Sequence, residues 1–455
     1  MGEIKGDVEC VKVNVSPLLC QASRVILTLS LDVSTRERTL SRTHITTAPS
    51  EEGARYWEAR WEKKRPLIEL GMADLSLWLR DQATLGIEEL RRGGPDPVKA
   101  IASRMLNVEC KGVAERLERL AHLLGGDQER PAWMERAGEE PPRSAEALLD
   151  AQLLSIGELA LLSRAFERLA SFSFEQRVSL LSELGLREEP KSARAKPELE
   201  GRWVALSQQV ERERGLLVRR QWLARLPSVS ELQRARRAER SSSERPPPEL
   251  TASELTASER LDVELDHQRE ALSLTLGYAW GSAPLPPASP LGGVLAQPLR
   301  AFEGLAPRRA LISPLRDMDV AGSAERPYLV THERPSQDEW AGLPWSPSLT
   351  HSRAGFERQV ARSPWRAESP ALISGGRVIC HPVEGLAYLD ASGVSASLSL
   401  PVQTAHRSRA ERALLCIGGQ GPVALVGEWR AEGLLALSLI SERGRLYSIT
   451  GGRIA

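Results

Sequence analysis

What the chain lacks narrows its possibilities first. There is no surplus of either charge: 60 Lys and Arg face 60 Asp and Glu, a formal net charge of +0. No global field draws in a polyanion, so nucleic-acid binding would need a local basic face. Lysine is scarce, eight of the 60 cations, and none follows Lys196; with abundant Ala, Leu and Gly, this reads as a GC-rich coding bias. The cysteines are few and odd in number (Cys10, Cys20, Cys110, Cys380 and Cys416). They do not make the dense framework of a small secreted domain and fit a reducing cytoplasm. No apolar run approaches the ~18–20 residues that span a bilayer. The longest, Val423 to Ile440, is cut by Gly427 to Gly433, and Glu3 and Asp7 stand where a signal peptide needs a basic start. A soluble, cytoplasmic protein is expected. Gly-x4-Gly-Lys, Gly-x-Ser-x-Gly and His-Glu-x-x-His are all missing, which removes the Walker, nucleophile-elbow and zincin routes to catalysis.

At 455 residues the chain exceeds one ordinary core, and its organisation reads as α+β multidomain. Residues 1–50 form a weakly structured segment, with Val11, Val13 and Val15 alternating and Ile26 to Leu29 a second candidate strand. Residues 51–226 read as an all-α helical bundle. Met72, Leu75, Leu79, Ala83, Ile87 and Leu90 recur at three- or four-residue spacing until Gly93-Gly94, and Asp96-Pro97 predicts an N-cap and a new start. Further stripes follow at Val98, Ile101 and Met105, at Val113 to Leu124, and at Leu149 to Leu169. Ser173 and Gln176 spell a capping box. A last helix is expected to carry Trp203, Leu206, Val210 and Leu217 on one side.

Residues 227–260, rich in Arg, Ser, Pro and Glu and repeating Thr-Ala-Ser-Glu, predict a charged linker. Residues 261–320 read as a β-rich segment, with Leu261 to Asp266 and Leu272 to Leu276 alternating, and residues 321–370 as an irregular connection. A small β domain is expected over 371–455, with strands including Leu372 to Cys380, Leu414 to Ile417, Val423 to Trp429 and Leu434 to Ile440. Arg430 to Gly433 and Ser441 to Gly444 would be glycine-ended turns.

No catalytic, cofactor-binding or metal residue emerges. Cys380-His381 is adjacent in sequence, but neighbours on a strand point to opposite faces, so a strand end outweighs a thiolate–base pair. Gly419-Gln420-Gly421-Pro422-Val423-Ala424 matches a dinucleotide fingerprint in letters, yet a strand follows it where a helix is required. Arg234, Arg236, Arg237, Arg240 and Arg245 mix with glutamates and lack aromatic neighbours, which suits a solvated linker. Trp57, Trp61, Trp78, Trp203 and Trp222 are expected mainly as bundle core, with an interface role for one of them the lesser reading.

Taken in order, Trp57-Glu58-Ala59-Arg60-Trp61-Glu62-Lys63-Lys64-Arg65, then Arg202 to Leu206 through Arg219 to Leu223, then Pro422 to Trp429, resemble bacterial SWIM zinc-finger proteins. The likeness is to those encoded beside MoxR-like AAA ATPases and von Willebrand A-domain proteins. It spans about residues 51–226 and 371–455. It implies a non-enzymatic binding or scaffold protein, partnered by such an ATPase and A-domain protein, with nucleic-acid binding as the alternative. In the family, Cys-x-Cys and Cys-x-His hold zinc upstream of the tryptophan helix. Here that stretch offers Cys10, Cys20 and His44 at other spacings, so no cofactor is carried over.

Overall fold

A computed structural model describes residues 51–125, 144–187, 193, 196, 198–213, 216–234, 271–280, 283–285, 288–289, 291–295, 299–302, 309–312, 333–363, 368–382, 385–400, 404–430, 433–450 and 453–454. The two N-terminal strands expected between Val11 and Leu29 and the strand at Leu261 to Asp266 lie outside these residues, as does most of the linker.

Among the described residues, six α-helices make the first body: α1 (Glu51–Leu85), α2 (Ile87–Gly93), α3 (Asp96–Asn107), α4 (Lys111–Gly125), α5 (Ala145–Glu167) and α6 (Phe174–Leu184). Along α1 the side chains of Trp57, Trp61, Ile68, Met72 and Leu75 are buried at helical spacing. They join Ile101, Met105, Leu117, Leu120, Leu159, Leu162, Leu180 and Leu184 in one core. The stripe read as a single helix from Met72 to Leu90 is two, because Gly86 adopts φ 85° and turns the chain. Asp96 is the first helical residue and not the cap; Pro95 holds that position without a side-chain bond. The capping box at Ser173 and Gln176 is formed in both directions.

Residues 202–226 correct the sequence reading. They form a β-hairpin, β1 (Arg202–Glu213) and β2 (Leu216–Leu226), and not a last helix of the bundle. With β3 (Leu272–Trp280) and β4 (Val294–Leu295) they build a four-stranded sheet in the order β3-β2-β1-β4. The sheet is covered on both faces. Trp203, Ala205 and Leu223 pack with Leu295, Leu299 and Ala310, while Val204, Leu206, Trp222 and Ala224 face the other way. A strand buried on both sides shows no alternation, and its Trp203–Leu206–Val210 spacing imitates a helix by accident. A short hairpin, β5 (Leu299–Ala301) with β6 (Ala310–Ile312), flanks this sheet. Two helices, α7 (Gln337–Ala341) and α8 (Leu349–Arg362), occupy part of the stretch expected to be irregular, each started by a serine cap, Ser336 and Ser348.

The C-terminal body is a closed barrel. Its strands are β7 (Ser369–His381), β8 (Gly385–Leu389), β9 (Ser395–Ser399), β10 (Val423–Arg430) and β11 (Gly433–Ser441), and α9 (Thr404–Gly418) lies between β9 and β10. The order β7-β8-β9-β11 closes through β10, which pairs with both β11 and β7. β9 runs parallel to β11, with Leu398 opposite Leu434. β7 serves two partners, β10 up to Gly376 and β8 from Arg377. The switch falls at Gly375, where φ is 76°, and at Gly376, where a Cβ would stand 2.4 Å from the ring of Tyr388. This is the five-stranded Greek-key arrangement of oligonucleotide- and oligosaccharide-binding barrels. β12 (Leu446–Thr450) and β13 (Arg453–Ile454) extend the sheet beyond β11.

Leu414 to Ile417, expected as a strand, belongs to α9, which buries Ala410 and Leu414 one turn apart against the barrel core. Four apolar residues in a row cannot by themselves tell strand from helix.

Candidate functional site

A buried charged constellation sits where the four-stranded sheet lies on the barrel. Along β10, Val423, Leu425 and Trp429 face the barrel interior, while Val426 turns toward the sheet. Glu428 also points that way and is wholly buried. One of its carboxylate oxygens accepts from the Trp222 indole N–H at 3.0 Å and from an Arg220 guanidinium nitrogen at 3.3 Å. The other accepts from Arg430 Nε at 2.8 Å. The same Arg220 nitrogen reaches Glu368 at 2.5 Å. Beside this cluster, the buried Gln221 donates to the Ser289 carbonyl at 2.6 Å and accepts from its backbone N–H at 3.2 Å. Ser438 Oγ donates to the Leu206 carbonyl at 2.6 Å. A carboxylate with three donors around it is an anchor: its lone pairs hold the sheet to the barrel.

The barrel interior is fixed in the same manner. Tyr388 accepts from the Gly376 N–H at 2.9 Å and donates to the Val423 carbonyl at 2.8 Å, and burial pushes its phenol well above the usual range. Trp429 stacks on Phe356 of α8 and donates to Ser352 Oγ at 2.9 Å. Asp390, in the β8–β9 turn, accepts from the N–H of Leu349 at the start of α8. In the helical body Arg116 plays a similar part, bonded to Glu158 on α5 at 2.6 Å and to Glu183 on α6 at 2.7 Å.

An open groove of about 380 Å³ lies at one end of the bundle, lined by Glu88, Arg91, Arg92, Leu123, Leu124, Leu148 and Gln152. Gln152 is buried and donates to the Leu123 carbonyl at 2.8 Å; its own carbonyl oxygen has no hydrogen-bond partner among the described residues. Arg91 and Arg92 are tied to Glu88 and Glu89. Among the described residues that line it there is no Ser, Thr, Cys, His or Lys.

Cys380 and His381 are consecutive on β7, opposite Leu386 and Gly385, and Cys380 is an exposed free thiol. Cys416 is exposed on α9. Cys110 is buried beneath the helices, where desolvation pushes its thiol up to about 12. Gly419 to Pro422 is the turn between α9 and β10, so the fingerprint letters run from helix to strand, the reverse of the nucleotide-binding order. Trp57 and Trp61 lie in the helical core and Trp78 packs against it, whereas Trp203 and Trp222 are buried in the sheet. Cys10, Cys20, His44, Arg236, Arg237, Arg240 and Arg245 lie outside the described residues. Among the described residues no group of three or more His, Cys, Asp or Glu could hold a metal ion. Sequence reasoning missed Glu428 and Arg220, and the only available signal was a glutamate inside an otherwise apolar strand.

The architecture defines a multidomain α+β protein, with a helical body first and a β-rich body after it. Its bundle is similar to a known one: residues 63–184, about a quarter of the chain, match the SWIM-associated four-helix bundle domain. No curated protein and no solved structure matches the chain. No helix among the described residues is long and apolar enough to cross a membrane.

Proposed function

We propose that this protein is a non-enzymatic binding or scaffold component that works with a MoxR-like AAA ATPase and a von Willebrand A-domain protein. The match of residues 63–184 to the SWIM-associated bundle carries the reading. It is supported by how the buried charges are used, since Arg116, Glu428 and Asp390 each tie separate elements together. The test is a binding measurement between the full chain and a purified MoxR-like ATPase at rising salt. A complex that persists at high salt supports the scaffold, and its absence across the range refutes it.

One observation favours a second reading, nucleic-acid binding: the Greek-key barrel has the topology used for oligonucleotides. Its β9 strand, however, presents Ser395, Ser397 and Ser399 where a stacking platform would carry aromatic rings. Binding of single-stranded DNA that falls steeply with salt would establish this alternative.

A further inference from the structure

The outward side of α1 is not the polar face expected of a surface helix. Leu67, Leu70, Leu77 and Leu85 stand 44%, 62%, 58% and 60% exposed. With Ala59, Lys63, Asp74 and Asp81 they form one stripe at three- or four-residue steps, opposite the buried line of Trp61, Ile68 and Leu75. The four leucines together expose on the order of 400 Å² of apolar surface, within the ~300–600 Å² of the largest patch on a typical monomer. That is about half of the ~800 Å² each partner contributes to a standard interface.

The stripe is complementary to itself when reversed. A two-fold axis crossing α1 at the level of Met72 sets Leu67 against the partner's Leu77, Lys63 against the partner's Asp81, and Ala59 against the partner's Leu85. Leu70 then meets Asp74, whose carboxylate is bonded to Arg104 of α3 at 3.1 Å. Neither Lys63 nor Asp81 has an ion-pair partner among the described residues. They are about 27 Å apart along one helix at 1.5 Å per residue, so they can neutralise each other only between two chains. We infer that α1 is a homodimerisation helix, pairing antiparallel with α1 of a second copy.

Sedimentation of the full 50.0 kDa chain tests this. A dimer of about twice that mass is expected at micromolar concentration, and Leu67→Glu with Leu77→Glu should return it to the monomer with unchanged helical content. Lys63→Glu alone should weaken the dimer about 3–10-fold, because two exposed pairs are lost, and adding Asp81→Lys should restore it. With Cys10, Cys20, Cys380 and Cys416 replaced by serine, Leu67→Cys plus Leu77→Cys should cross-link two chains on oxidation. Either cysteine alone should not, since like positions would be about 15 Å apart. A monomer at 100 micromolar, a dimer indifferent to the glutamates, or failure of the paired cysteines to cross-link would each overturn the inference. So would a stripe that binds a different protein in place of a second copy.

Discussion

Replacing Glu428 by alanine should unfasten the β body while leaving the helical body intact. The carboxylate is wholly buried, and its neighbours Arg220 and Arg430 have side chains only 12% and 17% exposed. Alanine would remove the carboxylate to which the Trp222 N–H and the Arg430 Nε–H donate, while Arg220 would keep Glu368. Removing one member of a buried ion cluster costs about 3–5 kcal/mol, most of it from the charges left unpaired. Arg220 retains a partner, so the lower end, about 3 kcal/mol, is expected. For a body of roughly 200 residues, each kcal/mol moves the midpoint by about 2–4 °C, giving a fall of about 6–12 °C. Because a multidomain chain does not unfold in one step, scanning calorimetry should show two transitions. Only the transition that reports on Trp222 and Trp429 should move. Glu428→Ala combined with Arg220→Ala should cost less than the two single changes added together, since both disrupt the same contact. A shift below about 1 kcal/mol, or equal shifts in both transitions, would refute the idea that this cluster clamps the sheet to the barrel.

Two more perturbations separate the bodies further. Gly112→Ala places a Cβ 1.8 Å from the Glu183 carbonyl oxygen, so α4 and α6 must part. A loss of about 2–3 kcal/mol is expected in the helical transition alone, read by circular dichroism melts, and a neutral effect would mean that the helices are not in close contact. For Asp390, burial raises its pKa, but bonds from Ser392 Oγ and from the backbone N–H groups of Leu349, Val394 and Ser392 outweigh it, so the net shift is downward. The sign follows: its stabilisation is fully present above the ordinary aspartate value near ~4 and is lost as pH falls through the lowered one. Asp390→Asn should therefore flatten the acid side of the β body's pH–stability curve, and an unchanged curve would show that Asp390 contributes nothing there.

How much of this was legible in the sequence depended on how each element is buried. Helices with one wet face, such as α3 with Val98, Ile101 and Met105 buried, declare a period, and the Ser173–Gln176 cap declares its start. β1 and β2 declare nothing of the kind, because both faces are covered and every position from Trp203 to Ser207 is buried. In α9 the stretch Leu414 to Ile417 was too short to show its period, and the arginine-rich turns before it obscured the rest. Glu428 was unreadable for a different reason. A glutamate becomes an anchor only when Arg220 and Trp222, some 200 residues away in sequence, meet it, and no local window contains that pairing.

The placement of the charges also argues for what the two bodies do for each other. Within each body, long-range ion pairs join elements that are distant in sequence: Arg116 to Glu183 in the first, Arg220 to Glu428 in the second. Between the bodies, one side-chain link is the bond of Ser179 on α6 to Ser363 after α8, at 3.2 Å between two hydroxyls. A neutral hydrogen bond of that kind is worth about 1 kcal/mol, far below the several kcal/mol holding each body together. By itself that hydroxyl pair is too weak to carry a change in one body into the packing of the other.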